Sequence, residues 1–512
     1  MHIQALRAED IERIHQASLT VLADVGVLFH KAPQVEEFLV ANGCRAEGGR
    51  IRFPAELVED CLQRLPDRDT LTFGDPSLGY GEQFSLAKGA SNITINGNAY
   101  TIYDHQAGAP RHCVEADSDE FSLIAAHLKN LVADPCDLVF HSERTSAGRR
   151  KQITFDSADA RGEFLRRWLA GRQGIERPLG LNVRNYSSQE VALATLALAI
   201  RDGAATLEQR MSLWEQYIWF NPLSPLQWHA EQAPIVLELL DPARKCTLVI
   251  ISPEVMMGTS CPVTLAGALT QHNAEVLAAV TMVQLARPGV PTMYGFVGAP
   301  TDLRTADISH GSIETGLLNV AAVQIADRYG LPSRICPGNP SAKAPGARAA
   351  VETALGLALG LAAGGNIIMT AILDSTLMLS YEHLIVTDEI AGQLLNINGE
   401  IHTDADSLAV EVIAACSAQS GGSFAFNEHT LKHMKRDIYY SDFTGRVAAS
   451  QEDWYDKAHT RVKDILARRS DGVTGAETLE RLAAVEKRLA EDDRSWRAKA
   501  NDWWRFYVQD FA

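Results

Sequence analysis

Aromatic side chains crowd one short part of the sequence, and a second aromatic pair follows further on. The rings are those of Tyr217, Trp219, Phe220 and Trp228, and then those of Tyr294 and Phe296. Alternate residues of a strand point the same way, so Tyr217 and Trp219 would share one face, as would Tyr294 and Phe296. A ring face attracts a cation by about 0.5–2 kcal/mol, which suits a quaternary ammonium or sulfonium group. The pattern predicts an aromatic cage for such a group, and packing in the core is the alternative.

These rings lie in a region where short β-branched runs alternate with helical stretches. The predicted strands are residues 137–141, 179–183, 218–220, 247–251, 292–297, 333–336 and 366–371. The predicted helices are 189–201, 229–240, 262–286, 308–329, 347–363 and 383–395. Such βα repetition predicts an α/β fold, and a closed (β/α)8 TIM-type barrel in particular. An open, doubly wound sheet is the structural rival.

The barrel is expected to span residues 131–420, between two other regions. Residues 1–130 combine predicted helices with a polar hairpin at residues 100–108 and form an N-terminal α+β leader packed on the barrel. Residues 421–512 form a helical C-terminal extension, with a long charged helix over 471–504 and an aromatic end. An exposed aromatic patch is adhesive, so this end docks on its own barrel or clasps a neighbouring subunit. If the aromatic end contacts a neighbouring subunit, the protein forms a homo-oligomer, and this is the assembly that we expect.

The residues just after the predicted strands are where a barrel places its active site. Glu254 and Asp374 both stand there and could form a carboxylate pair. The positions show no Ser/His/Asp arrangement and no metal triad. The eight cysteines are scattered without a paired spacing, and no glycine-rich phosphate-binding motif follows a strand. We therefore expect no bound metal and no bound nucleotide in this chain, and we assign no catalytic side chain.

The charge and hydropathy of the sequence limit the partners and the cellular compartment that we expect. The 47 Lys and Arg against 64 Asp and Glu give a net charge of −17, which argues against a nucleic-acid or anionic-membrane partner. The first ten residues turn acidic without an apolar core, and no apolar stretch is long enough to span a bilayer. Together with the unpaired cysteines, this predicts a cytoplasmic protein.

Several segments, in their order and spacing, resemble the trimethylamine methyltransferase superfamily, the corrinoid-dependent amine methyltransferases. They are residues 21–27, 261–269, 272–278, 284–291, 294–295, 302–305 with 311–314, 342–345 with Glu352, 380–382 with 388–389, 429–433 and 446–454. The likeness covers most of residues 10–470. The aromatic tail beyond about residue 475 has no counterpart in it.

The resemblance implies a (β/α)8 barrel that moves a methyl group from a methylated amine to the Co(I) corrinoid of a separate carrier protein. The trimethylamine-specific members contain pyrrolysine, and this sequence has none, also near Lys343, where it would be expected. The non-pyrrolysine branch, which uses quaternary amines such as glycine betaine, is therefore the better match. A quaternary amine leaves as a neutral amine, so that positioning of the methyl group carries much of the catalysis.

A betaine-type substrate implies binding groups for both of its charges. Arg304, His229, His310 and Lys343 are the candidates for its carboxylate. Glu254, Asp302 and Glu314 are the candidates for its ammonium group. The alternatives are methyl transfer from a sulfonium donor, transfer to another acceptor such as tetrahydrofolate or a thiol, a non-catalytic betaine-binding barrel, and a metal-dependent barrel lyase or aldolase.

Overall fold

The computed structural model describes most of the chain outside its middle and its C-terminal end. The described residues are 3–73, 84–95, 98–114, 117, 120–121, 124–125, 127–131, 137–138, 217–228, 233, 236–237, 240–242, 248–397, 401–418, 422–441, 443 and 453–467. The predicted strand 179–183, the predicted helix 189–201, most of the predicted helix 229–240 and the charged helix 471–504 lie outside the described residues.

Helices and strands alternate through the described part. The strands are β1 Leu28–Phe29, β2 Arg45–Glu47, β3 Arg50–Arg52, β4 Thr72–Phe73, β5 Phe84–Ser85, β6 Asn92–Ile95, β7 Asn98–Ala99, β8 Thr101–Asp104, β9 Ala109–His112, β10 Asp137–Leu138, β11 Tyr217–Phe220, β12 Gln227–Trp228, β13 Leu248–Ile251, β14 Glu254–Met257, β15 Thr292–Asp302, β16 Asp307–Ile308, β17 Ser333–Gly338, β18 Ile367–Thr370 and β19 Met378–Leu379. The helices are α1 Ala8–Asp24, α2 Pro33–Ala41, α3 Ala55–Leu62, α4 Leu265–Ala286, α5 Ile313–Arg328, α6 Ala347–Ala363, α7 Tyr381–Ile397, α8 Ala405–Leu408, α9 Val410–Ser417, α10 Glu428–Asp437 and α11 Trp454–Ala467.

A curled parallel sheet organises the molecule. Its described strands follow the order β11, β13, β15, β17, β18 and β6, and each neighbouring pair is parallel. The α/β class and five of the predicted strands are thereby confirmed. Strand β6 lies within the predicted leader, yet it continues the sheet, with Ile93 opposite Ile368. The leader thus contributes a strand to the sheet as well as helices. The division into three regions stays a prediction.

The two faces of the sheet are buried in different ways. Leu248, Ile250 and Met293 belong to one apolar cluster on the concave side. Val249 and Ile251, which alternate with them, belong to the large cluster beneath the helices. A parallel sheet covered on both faces has such near-continuous apolar strands. Polar side chains that stand inside it therefore need a specific reason.

Helix α4 is deeply buried because it packs against β13, β14 and β15 on one side and against α1 and α3 of the leader on the other. It begins at Leu265, where the Thr264 hydroxyl accepts a hydrogen bond from Gly267 N–H. Helix α5 begins at Ile313, five residues later than predicted. The reason is local, since β16 forms a hairpin with the end of β15 and Ser312 then caps the helix.

None of the described helices has both the length and the apolar composition needed to cross a membrane. The hairpin predicted at residues 100–108 is confirmed, with β8 and β9 antiparallel and Asp104 opposite Ala109.

A carboxylate on α4 fixes the loop that follows β11. Glu275 accepts hydrogen bonds from the Ser224 hydroxyl at 2.7 Å, from Leu226 N–H at 2.8 Å and from the Gln271 side chain at 3.0 Å. The side chain is 1% exposed. Burial raises the pKa of Glu275 to about 7, although the three donors favour the ionised form.

The folded protein should lose stability as the pH rises through the range in which Glu275 ionises. The unfolded chain releases the proton near pH 4.5 and the folded chain only near pH 7, so the free energy of unfolding falls between those values by up to roughly 3 kcal/mol. Glu275→Gln should remove this fall. Denaturant unfolding at pH 5 and pH 8 measures it, with the exposed Glu37→Gln as the control. Equal pH dependence in the two variants would contradict the assignment.

Candidate functional site

Polar side chains gather at the carboxyl end of the parallel strands. Asn221 follows β11, Glu254 follows β13, His310 follows the β15–β16 hairpin and Asn339 follows β17. The turn at residues 371–376 follows β18. All carboxyl ends of parallel strands lie at one edge of a sheet, which is where α/β enzymes bind their ligands. We define these residues, with the floor described next, as the strand-end site.

A buried arginine forms the floor of this site. Arg334 on β17 is 3% exposed and stands on the concave side of the sheet, two residues before Cys336 of the concave cluster. Its guanidinium donates to the Ser252 hydroxyl at 3.1 Å. Gly295, opposite Arg334 on β15, leaves the space open, since an added Cβ would collide with Ser252 Oγ and lie 2.6 Å from the Ile251 carbonyl.

Glu254 stands one level above that floor, two residues beyond Ser252. Its Oε1 accepts a hydrogen bond from the Asn221 amide at 2.7 Å, which ties the ends of β11 and β13 together. The Glu254 side chain is half-buried. The Asn221 amide therefore orients the carboxylate near the edge of the sheet.

His310 is enclosed beside this carboxylate. It is 3% exposed, and its backbone N–H donates to Ser375 Oγ at 3.4 Å. Burial lowers the pKa of the imidazole, and the negative charge of Glu254 only partly opposes that effect. Within the described residues neither ring nitrogen has a hydrogen-bond partner. Buried polar atoms without a partner are rare in folded proteins, so the imidazole nitrogens have capacity to hydrogen-bond a ligand or a water molecule.

The turn after β18 is strained and held from several sides. Ala371, Asp374, Ser375 and Thr376 have positive φ angles of 82°, 50°, 54° and 82°. Asp374 N–H donates to the Ala342 carbonyl and Ser375 N–H to the Pro340 carbonyl, both at 2.9 Å. Left-handed non-glycine residues cost about 1–3 kcal/mol each and cluster where function fixes the backbone.

Two further polar atoms at this edge have no partner among the described residues. They are the amide nitrogen of Asn339 and the hydroxyl of Thr94 on β6. Asn339 is fully buried, and its oxygen accepts from Ile372 N–H at 3.2 Å, which orients the amide. Such orphaned donors and acceptors are rare in folded proteins and indicate room for a polar ligand or water.

The predicted aromatic residues after β11 pack together. The Phe220 and Trp228 rings lie 4.8 Å apart, and Phe29 of the leader lies 5.6 Å from Trp228. Phe220 is 5% and Trp228 1% exposed, so both belong to the core. His229 and the side chains of Tyr217 and Trp219 lie outside the described residues. The backbone of β11 pairs Tyr217 with Leu248 and Trp219 with Ile250.

Tyr294 and Phe296 share one face of β15, as the alternation predicts, but that face lies under the helices. Both are fully buried, and the His272 ring of α4 lies tilted against them, with its centroid 5.3 Å from that of Tyr294 and 4.6 Å from that of Phe296. The Tyr294 hydroxyl donates to Asn273 at 3.2 Å. Packing between sheet and helices accounts for their burial, and their role as a substrate wall stays a prediction.

The other charged candidates lie toward solvent and are already compensated. The Arg304 side chain is 88% exposed and makes two hydrogen bonds to Asp302, which holds the pKa of that carboxyl at about 2. Lys343 lies 3.3 Å from Asp307 and 3.6 Å from Asp374. Glu314 is exposed in the first turn of α5, where a negative charge stabilises the helix. Among the charged candidates in the described part, the structure pairs Arg304 with Asp302 and Lys343 with Asp374 near the surface, and it places Glu254 beside the buried His310.

Arg334 was missed as a site residue. Asn221, Ser252 and Asn339 lie in the segments after predicted strands, where the sequence places an active site, but none of them was selected as a binding residue. Arg334 stood inside a predicted strand, and a charge in the middle of an apolar strand was the available indication. Asn221 and Asn339 directly follow strands, but an asparagine after a strand is usual in turns. Their partners come from other segments of the chain, which the sequence does not reveal.

Replacement of His310 should leave stability almost unchanged, unlike replacement of a satisfied histidine. His310→Leu removes a buried group whose nitrogens have no described partner, so the free energy of unfolding should change by less than about 1 kcal/mol. His272→Leu is the matched control, because its Nε2 donates to the Gly295 carbonyl at 3.0 Å and its Nδ1 lies 3.2 Å from the Tyr294 hydroxyl. That variant should lose about 2 kcal/mol or more. Denaturant unfolding compares them, and equal losses would contradict the unpartnered state of His310.

Comparison with known proteins finds relatives that align over most of the chain. The chain is 28% identical over 471 residues to a glycine betaine methyltransferase of Desulfitobacterium hafniense strain Y51, covering 90% of this chain and 92% of that protein. It is 25% identical over 503 residues to the trimethylamine methyltransferase MttB of Desulfitobacterium hafniense strain DSM 10664 / DCB-2, covering 94% and 92%.

A solved structure, the monomethylamine methyltransferase MtmB of Methanosarcina barkeri, aligns over 90% of this chain and 89% of its own, with 11% sequence identity and a TM-score of 0.44. We draw no structural conclusion from so distant a likeness. The family model described as trimethylamine methyltransferase (MTTB) matches residues 1–131 and 192–491. That match covers most of the chain and confirms the resemblance seen in the sequence, so the chain belongs to the trimethylamine methyltransferase family.

Proposed function

We propose that the chain transfers a methyl group from a betaine-type quaternary amine to the Co(I) corrinoid of a separate carrier protein. The observation that carries the proposal is its relation to a glycine betaine methyltransferase over nine-tenths of both chains. The absence of pyrrolysine from the sequence agrees with a quaternary substrate. The corrinoid is a second substrate that its carrier brings, and a homo-oligomeric assembly remains part of the proposal.

The strand-end site lies, in this proposal, at the mouth of a closed (β/α)8 barrel. The six strands of the curled sheet supply most of the required strands. Strands β7 and β10 follow β6 along the chain and form a further parallel pair, with Asn98 opposite Asp137. Strands that close the sheet would enclose a small substrate and keep water away from the methyl group.

The site offers opposite charges at two depths, as a zwitterion requires. Arg334 at the floor suits a carboxylate, because a guanidinium binds one through two parallel hydrogen bonds. Glu254, two residues above Ser252, suits the ammonium end. Two residues of extended chain, such as those from Ser252 to Glu254, span about 6–7 Å. A betaine held this way would present its methyl groups toward the open edge, where a carrier protein has access.

His310 and Asn339 complete the binding group in this reading. A carboxylate accepts more hydrogen bonds than Arg334 alone can donate. The neutral imidazole and the amide nitrogen have capacity to donate the others. Arg304 and Lys343 are unsuited to that role, since each is already paired with an aspartate near the surface.

The chemistry asks little of the side chains beyond positioning. The methyl carbon is attacked from the side opposite nitrogen, the C–N bond breaks, and its electron pair stays on nitrogen. The amine therefore leaves neutral, and no general acid is needed. Because the positive charge on nitrogen is lost along the way, Glu254 stabilises the bound substrate more than the transition state. It contributes affinity, whereas alignment of the methyl group contributes rate.

Methyl transfer can be tested directly with purified protein, Co(I) corrinoid and a panel of methyl donors, followed by the absorbance of methyl-Co(III). Glycine betaine should react, and tetramethylammonium, which lacks the carboxylate, should react with a kcat/KM at least about tenfold lower, because the interaction with Arg334 is absent. A sulfonium donor and a tetrahydrofolate acceptor are the comparison arms. Reaction of the sulfonium donor alone would replace the proposed substrate, and no product in any arm would overturn the proposed function.

Glu254→Gln should raise KM for glycine betaine about tenfold with kcat unchanged or slightly higher. The change keeps the shape and the Asn221 contact but removes the charge that favours the bound substrate. Glu314→Gln, an exposed glutamate on α5, is the matched control and should leave both constants unchanged. A fall in kcat at constant KM would assign Glu254 to the chemical step and contradict its placement as a binding group.

A further inference from the structure

Three possible metal ligands from distant segments meet beside the C-terminal helix. They are His105 in the turn between β8 and β9, Glu382 in the first turn of α7 and His459 on α11. One ligand atom from each lies within 4.8 Å of the other two. We propose that these residues form a binding site for Zn²⁺, which we call the His105–Glu382–His459 cluster. The proposal is independent of methyl transfer.

The geometry of the cluster suits a small transition-metal ion. His459 Nδ1 lies 2.9 Å from Glu382 Oε1. The His105 and His459 rings stack with their centroids 4.1 Å apart. Two imidazoles and a carboxylate are a known protein ligand set for zinc, with water as the fourth ligand of a tetrahedral site. Imidazole nitrogen favours zinc and its transition-metal neighbours over Mg²⁺ or Ca²⁺.

Within the described residues, the carboxylate at the centre of the cluster is buried without a lysine or arginine as a partner. Glu382 is 3% exposed, and its partners among the described residues are His459 and the hydroxyl of Ser380, which donates to Oε2 at 3.2 Å. A buried carboxylate requires a compensating cation. A divalent ion would supply that charge and would use both His459 and His105 as ligands. Ser380 then acts as the outer hydrogen-bond donor that orients a ligating carboxylate.

A second cluster, Asp406 with His429 and His433, is less suited to a metal. The Asp406 carboxylate already lies 2.7 Å from the Lys432 ammonium group, and its side chain is 49% exposed. His429 Nε2 is engaged with the Asp406 carbonyl at 2.9 Å. A metal there would have to displace a lysine and a backbone hydrogen bond, whereas the His105–Glu382–His459 cluster needs neither.

A metal in the first cluster would join three parts of the chain. It would tie the β8–β9 hairpin of the leader to α7, which follows the sheet, and both to α11 of the C-terminal extension. The same interface already contains the contact of His383 Nδ1 with the Tyr455 hydroxyl at 2.9 Å. The ion would therefore act as a clamp that holds α11 in place. This proposal departs from the expectation of no bound metal, because three ligands without a local spacing form no motif in the sequence.

The test is zinc binding by the full-length protein after removal of metal with a chelator. The wild-type protein should take up a single tightly bound equivalent, measured by elemental analysis and by competition with a chromophoric chelator, with a rise in Tm. His105→Gln and His459→Gln should each weaken Zn²⁺ binding at least about 100-fold. Ser380→Ala, which removes only the outer donor, should weaken it about 10- to 100-fold.

His433→Gln, from the second cluster, is the matched control and should bind as the wild type does. Circular dichroism and the metal-free Tm of each variant establish that it is folded, and His105→Gln, in a surface turn, remains informative if His459→Gln is not. The proposal is overturned if the wild-type protein binds zinc no more tightly than His105→Gln, or if His433→Gln is the variant that loses the ion. Methyl-transfer activity does not enter these readouts, so its loss or presence leaves the result unchanged.

Discussion

A parallel sheet that is buried on both faces admits a polar side chain only where a partner or a ligand compensates the loss of water. In this molecule the rule separates two kinds of buried polar residue. On the helix side, His272, Asn273 and Glu275 of α4 are each engaged by hydrogen bonds to the sheet, to Tyr329 or to the loop after β11. Toward the carboxyl edge, His310 and Asn339 keep atoms without a described partner. The first kind holds the scaffold, and the second marks the strand-end site.

Within the described residues, left-handed non-glycine residues are most concentrated in the turn after β18. The turn after β18 takes up four left-handed residues and is held by hydrogen bonds to the loop after β17 and to Ile308. Those loops in turn carry Asn339 and His310. A rigid sheet with fixed strand ends can support such strain, and the strain fixes where the polar atoms stand. Glu275 does the same for the loop after β11, at the cost of a raised carboxyl pKa.

A charged side chain interacts more weakly at the exposed surface of the protein than at a buried position. The net charge of −17 gives the whole molecule an acidic field, which would favour the approach of the cationic end of the proposed substrate. Exposed cations such as Arg304 and Lys343 are balanced by neighbouring aspartates and add little locally. Arg334 and Glu254, which are withdrawn from bulk solvent, act in a medium where a single charge counts for more. In the proposed function they divide the two ends of a zwitterion between them.

The amino-acid sequence by itself determined the α/β class, the five strands β11, β13, β15, β17 and β18, and the family, because periodicity and motif order are local properties of the chain. It placed α6 over Ala347–Ala363, where the structure has it, and it selected Glu254 and His310. Only the tertiary structure decided on which side of the sheet Tyr294 and Phe296 lie, since alternation specifies a shared face but not which layer covers it. It also decided that β6 of the leader joins the sheet, that Arg334 reaches Ser252 across Gly295, and that His105, Glu382 and His459 meet. Each of these depends on contacts between segments far apart in the chain, and such contacts are set by packing.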